Sequence, residues 1–293
     1  MKVLLNNRVF GHFIAFITIF IWSLTFVQTK VLLEYLSPIE ILIERFFLAW
    51  ILFFIFMPKI VFYKLKDELL FIALGFSGIF AYYILENLAL KYGNAINVGL
   101  IVTTAPIFNT LFLIFIKKYE KREIFFTLVG FIFVIFGLFI MNFNNLTKID
   151  IGDFLALLGA LFFGIYSLLL SKVSKEYNIF IVTRKSFFWG LIFFFLYFYF
   201  FKEHFALFSN YKQIEVWSNL LFLALVASGL CFVMWRYAVS TIGSSKTSNY
   251  IYLVPIINTL ASIYFLSEEF NLNIAFAIVL ILSGLFISQR NGV

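Results

Sequence analysis

Residues 191–200 read LIFFFLYFYF, and nine other stretches of the chain are nearly as free of charge. The ten runs fall at 10–29, 38–57, 69–90, 95–116, 124–141, 153–171, 179–201, 217–239, 244–266 and 272–289, divided by short segments bearing Lys, Asn, Gly and Pro. A helix needs about 20 mostly apolar residues to cross about 30 Å of hydrocarbon, and these runs have about that length. None shows the sustained alternation of a barrel strand. In lipid the backbone must satisfy its own polar groups, which helices do within one segment. The predicted fold is therefore an all-α integral membrane protein with ten transmembrane helices.

Composition agrees. The chain is 63% hydrophobic and 13% charged, with a mean hydropathy of +1.02. A soluble domain is about 45–50% apolar and about 25% charged, so the bilayer must serve as solvent. The net charge of +7 does not call for nucleic acid, because Lys and Arg collect in cytoplasmic loops. With the N-terminus inside, thirteen basic residues lie in cytoplasmic segments and five on the far side. The bias predicts a multi-pass protein of the cytoplasmic membrane with both termini cytoplasmic. The first run is too long for a signal-peptide core and lacks a small-x-small cleavage site, so it is expected to stay as a helix. A single cysteine, Cys231, cannot form an intramolecular disulfide, and His12 and His204 lack ligand spacing, so neither metal nor cofactor is expected. The absence of HExxH, P-loop and G-x-S-x-G patterns argues against an enzyme and against an ATP-driven pump.

The chain repeats itself. At a shift of 141, Gly11, Phe13 and Ala15 meet Gly152, Phe154 and Ala156, and Phe46-Phe47 meets Phe187-Phe188. At a shift of 149, the Pro-Ile-x-Asn-Thr-Leu of 106–111 meets that of 255–260. At a shift of 147, GLFI at 137–140 meets GLFI at 284–287. Three registers in order imply two halves, 1–145 and 146–293, of five helices each. Five is odd, so the second half enters the membrane from the opposite side. Inverted repeats of this kind mark secondary transporters, whose central site opens to either face in turn.

Pro106 and Pro255 fall near the middle of their spans. Each removes a donor, frees the carbonyl of Val102 or Ile251, and kinks the helix. Asn109 and Asn258 follow by three positions, on the proline's face. The prolines read as packing devices that create a cavity indirectly; the asparagines read either as ligands or as bonds to a neighbouring backbone.

The hairpin 22–50, with Trp22, Ser23, Phe26, Lys30, Pro38, Arg45 and Phe46, resembles the opening of the EamA branch of the drug/metabolite transporter superfamily. Residues 86–113 and 225–269 resemble that family's third–fourth and eighth–ninth helices, the latter ending in its Leu-Gly-Glu element with Ser267 in the glycine place and Glu268 in the glutamate place. In the first half the element degrades to IKKYEKRE. The resemblance covers nearly the whole chain. It implies a ten-helix transporter of the cytoplasmic membrane, often an exporter of amino acids or other metabolites.

Ionisable residues inside spans are functional candidates. Arg45 and Glu86 lie at matching depth and are expected to pair between the second and third helices, with Glu44 competing for Arg45. Arg184, Lys185 and Arg236 read as interfacial anchors, and Gly152, Ala156, Ala160 and Gly164 as a close-packing face. The candidate pocket comprises Trp22, Thr25, Thr103, Asn109, Tyr166, Trp235, Asn249, Tyr252 and Asn258, a set of aromatics and amides suited to a small amphipathic solute. The expected partners are a small-molecule substrate and the lipid bilayer, with a proton or ion gradient, exchange or facilitated diffusion left open. Monomer and homodimer are also left open. An importer or exchanger is the alternative reading, ahead of a channel or a non-transporting membrane partner.

Overall fold

A computed structural model describes residues 2–116, 121–141, 151–173, 177–207, 210–242, 247 and 249–289. They form ten helices and, among the described residues, no strand. Helix α1 is Lys2–Leu32, α2 is Pro38–Phe56, α3 is Leu65–Tyr92, and α4 is Ala95–Val102 followed by Ala105–Ile116. Helix α5 is Lys121–Met141, α6 is Ile151–Leu170, and α7 is Ile179–Phe200. Helix α8 spans 214–242, α9 opens as a tight turn at Asn249–Leu253 and continues as Val254–Leu266, and α10 is Leu272–Gln289. The all-α class and the ten helices agree with the sequence. Helices α1, α3, α6, α7 and α8 are each long and apolar enough to cross a membrane, while α4, α5, α9 and α10 carry shorter apolar stretches.

Local chemistry fixes the ends. Ser37 caps α2: its hydroxyl accepts from the Glu40 amide while the Glu40 carboxylate accepts from the Ser37 amide. This reciprocal box, with Pro38 in the first turn, satisfies donors that a helix start leaves free. At the far end, Arg184 donates to the carbonyls of Met57 and Lys59. Lys185 pairs with Glu68 at 2.6 Å. Both cations of α7 thus serve the helix ends, as the anchor reading expects. Lys30 does the same for α3, donating to the carbonyls of Leu90 and Gly93.

The packing is that of two like halves. Helix α3 lies against α6 and α8 against α1; α4 lies against α6 and α9 against α1; α7 lies against α3 and α2 against α8. Exchange of α1–α5 with α6–α10 turns each of these pairs into its companion. Three pairs map onto themselves: α2 with α7, α4 with α9, and α5 with α10. The small-residue face of α6 lets two of these contacts close. Gly152, Ala156, Ala160 and Gly164 are buried, and a Cβ on Gly152 would lie 2.7 Å from the amide nitrogen of Gly93.

Large apolar side chains are left outside. Phe125, Ile132 and Phe136 of α5, and Phe276, Val279 and Phe286 of α10, are exposed. An apolar surface so extensive is untenable in water, and it forms the lipid-facing side of a multi-pass membrane protein.

Candidate functional site

Both repeated prolines stand at helix breaks. In α4 the helix stops at Val102, Thr103 and Thr104 form a turn, and a new helix begins at Ala105 with Pro106 second. In α9 the tight turn Asn249–Leu253 gives way to α-helix at Val254, again with Pro255 second. The expected kink in a continuous helix is thus corrected to a break. A proline in the first turn forfeits no intrahelical bond, and its fixed φ suits that place. The turn is stabilised by Thr103 and Thr104, whose hydroxyls donate to the carbonyls of Leu100 and Ile101 at 2.6 and 2.7 Å.

The two broken helices meet on one side. Asn258 is fully buried and donates its side-chain amide to the Ala95 carbonyl at 2.7 Å. Gly99 makes room for that amide, since a Cβ there would collide with it. Next to it, the Glu268 carboxylate accepts from the amides of Ala95 and Ile96 at 2.6 and 2.9 Å. A carboxylate at a helix start satisfies orphan donors and meets the positive end of the dipole. Ser267 makes the turn that delivers it, with φ 53° in the left-handed region. Glycine adopts that conformation without penalty, which accounts for its use in the family element. Sequence reading saw the motif and missed its job.

Asn109, the repeat mate of Asn258, is placed differently. Its side-chain carbonyl is buried and has no hydrogen-bond partner. The two asparagines that the sequence makes equivalent are therefore in unlike states.

Trp22 and Trp235 come together, with ring centroids 5.3 Å apart, and Phe232 abuts Trp22 edge-on. The Trp22 indole N–H donates to the Ala227 carbonyl at 3.0 Å. Thr25, on the same helix, is buried and donates to the Trp22 carbonyl at 2.7 Å. The turn of α4 and the start of α9 join this group through Val102 and Ile251, packed on one apolar core. Tyr252 donates to the Leu285 carbonyl at 3.2 Å and faces a shallow groove with Leu282 and Phe286. Tyr166 lies apart, in a cluster with Phe71 and Trp189, its ring against Gly78. The side chain of Asn249 lies outside the described residues.

Sequence reading also missed two wide turns of π type, at Gly75–Ala81 in α3 and Phe222–Leu230 in α8. They overlap at the shift of 149, so both halves carry one. Such turns concentrate at functional sites. The small residues Gly75, Gly78, Ala224 and Ala227 were the available signal. The turn in α8 presents Ala227 to Trp22 and Ser228 to Arg45.

The buried charges correct one expectation. Arg45 and Glu86 are buried, but they form no ion pair within 4.0 Å. The Arg45 Nε donates to Ser228 Oγ at 2.8 Å, and the guanidinium lies 4.7 Å from the Tyr83 ring. Glu86 takes a hydrogen bond from Tyr82, one turn earlier on its own helix. Matching depth did not make the two charges touch, because depth fixes height along a helix but not which neighbour a long side chain reaches. Glu44 does not compete either: it accepts from Tyr211, while Glu40 accepts from the Ala206 amide and Asn210 donates to the Tyr35 carbonyl. These bonds clip the segment between α7 and α8 onto the start of α2.

Known proteins share this architecture. A solved crystal structure superposes with a TM-score of 0.63 over 96% of this chain and 97% of that chain, at 16% identity, a likeness of fold alone. A protein of Archaeoglobus fulgidus named as an uncharacterized transporter is 25% identical over 94% of this chain and 96% of its own. The uncharacterized transporters YyaM and YoaV of Bacillus subtilis are 29% and 26% identical, over 81% and 92% of this chain and 80% and 92% of theirs. The model of the EamA-like transporter family matches twice, over residues 9–143 and 150–289, five helices each time. The chain belongs to the EamA-like transporter family.

Proposed function

We propose that this protein is a secondary transporter of the cytoplasmic membrane that exports small amphipathic metabolites such as amino acids by alternating access. In this reading the two matched segments are inverted repeats, 1–145 and 146–293, with both termini in the cytoplasm. The unlike state of Asn258 and Asn109 carries it. Asn258 and Glu268 fasten α9 and its following turn to the start of α4, shutting the extracytoplasmic end. Asn109, its repeat mate, keeps a buried side-chain carbonyl without a hydrogen-bond partner, and in this reading it marks the end that opens. Exchanging the two arrangements opens the other face, as pseudo-symmetric halves permit. Trp22, Trp235, Thr25 and Thr103 stand beside the two breaks and form the solute's wall.

The test compares metabolites in the medium of cells over-expressing the wild type with those of cells expressing equal amounts of a Trp22→Ala, Asn258→Ala double variant. A solute accumulating only with the wild type names the substrate and supports export. Equal media, followed by saturable uptake into proteoliposomes, would overturn export in favour of import or exchange. Flux in neither system would sink the transport reading.

A further inference from the structure

Arg45 and Glu86 are placed as two halves of an unmade ion pair. The guanidinium is 1% exposed and fully desolvated, with Nη1 buried and without a hydrogen-bond partner. In this conformation its Nε donates to Ser228 Oγ at 2.8 Å, and it lies against Tyr83, within hydrogen-bonding reach, and Phe46, 4.7 and 5.3 Å from their ring centroids. Glu86 is 2% exposed and accepts from the Tyr82 hydroxyl at Oε2. Among the described residues no cation stands within 4.0 Å of it. A buried carboxylate with no counter-ion in contact is too costly to keep ionised; it binds a proton instead.

The groups around it support this. From α2 the facing group is Arg45; from its own helix, Tyr82 and Tyr83; from α6, Tyr166 near Tyr83 and Asp153 toward the helix end; from α8, Cys231 beyond Arg45. From α1, Lys30 is committed to the carbonyls of Leu90 and Gly93. From α7, Arg184 and Lys185 are committed to the end of α2 and to Glu68. Helix α4 presents no charged residue in Ala95–Ile116. Arg45 is thus the cation with a free arm at this depth.

We propose that Glu86 is a proton-binding site, neutral in this conformation, whose ionisation draws the Arg45 guanidinium away from Ser228 and Tyr83 so that its free arm forms the ion pair. The bond that breaks is the carboxyl O–H at Oε1, its proton leaving to water in whichever face of the cavity is open; the bond that forms is Nη1–H to the carboxylate. Because Ser228 belongs to the wide turn of α8, the switch moves Arg45 between α8 and α3, the repeat-related helices that carry such turns. The proposal rests on the transporter reading for its use, the coupling of solute flux to a proton gradient, and not for its test.

That test is infrared difference spectroscopy of the purified full-length protein in lipid nanodiscs, stepped in pH with no solute present. A protonated-carboxyl band that titrates in the wild type and vanishes in Glu86→Gln is expected; a Glu86→Gln spectrum matching the wild type overturns the assignment. Tyr82→Phe, which keeps the carboxyl, should move the band without removing it. Arg45→Gln should raise the pH midpoint of the band by at least one unit, a tenfold change in proton affinity. Ser228→Ala, which frees the guanidinium to swing, should lower it. Midpoints that do not move in either variant overturn the switch. Failure here leaves a transporter that is not driven through Glu86, whereas absence of flux with an intact band leaves a proton site without transport.

Discussion

Phe46 and Phe187 hold the same place in the two halves of the sequence, and in the fold they touch, ring centroids 5.1 Å apart at 79°. Each residue thus meets its own sequence counterpart where α2 packs on α7. Edge-to-face pairs are worth roughly 0.5–1.5 kcal/mol beyond burial. A double-mutant cycle of Phe46→Ala and Phe187→Ala should therefore show coupling of about that size in thermal unfolding in detergent. Additive losses would mean that the rings do not share one contact.

Asn258 bridges the two broken helices. Asn258→Ala leaves the Ala95 carbonyl without its partner, a loss of roughly 1–2 kcal/mol. Gly99→Ala should do at least as much damage by driving the amide off its acceptor. Cysteines at 97 and 265 labelled for distance measurement should show wider separation of the α4 and α9 ends in both variants. An unchanged distance would refute the fastening.

At Ser267 the chain accepts a left-handed conformation that costs a non-glycine residue roughly 1–2 kcal/mol. Ser267→Gly should recover about half of that or more as a higher unfolding temperature. Glu268→Gln, in contrast, removes the charge at the start of α4 and should cost about 1 kcal/mol. If both changes stabilised the protein, the cap would have been misjudged.

The clip between α7 and α8 is testable by proteolysis. Tyr211→Phe leaves Glu44 without its donor and should speed cleavage of the 202–213 segment several-fold, with little change elsewhere. Burial, and then the bond to Glu44, hold the Tyr211 phenol above its ordinary value of 10.0. A raised value in the folded state means that this contribution is present in full below about pH 10 and declines as pH climbs past it. Protection of the segment should thus be flat from neutral pH to about 9 and fall beyond.

Much of this was legible in the sequence because a bilayer leaves few alternatives. The ten runs became ten helices, most boundaries displaced by a few residues and the start of the first by eight, since length and charge alone bound a span. Pro106 and Pro255 located the breaks. What was not legible depended on rotation about helix axes. Arg45 found Ser228, an uncharged residue 183 positions away, and Glu86 found Tyr82 on its own helix. No spacing rule exposes such choices. Ser267 and Glu268 were recognised as a motif, yet the amides they serve belong to Ala95 and Ile96, far off in the chain.

The wide turns in α3 and α8 bear on insertions and deletions. Each accommodates, in effect, one residue more than an α-helix would hold over the same rise. One residue corresponds to about 100° of rotation in a helix of 3.6 residues per turn. Deleting a single residue from 222–230 would let α8 relax to regular α-helix while Trp235 and Cys231 keep close to their present bearings relative to Val216 and Leu220. The same deletion in an ordinary stretch of α10 would rotate everything beyond it by that amount and turn residues such as the buried Ile281 and Leu285 off the core. Loss of a single residue should therefore be tolerated at the loops and at these two turns, and be excluded from the regular stretches of the packed helices.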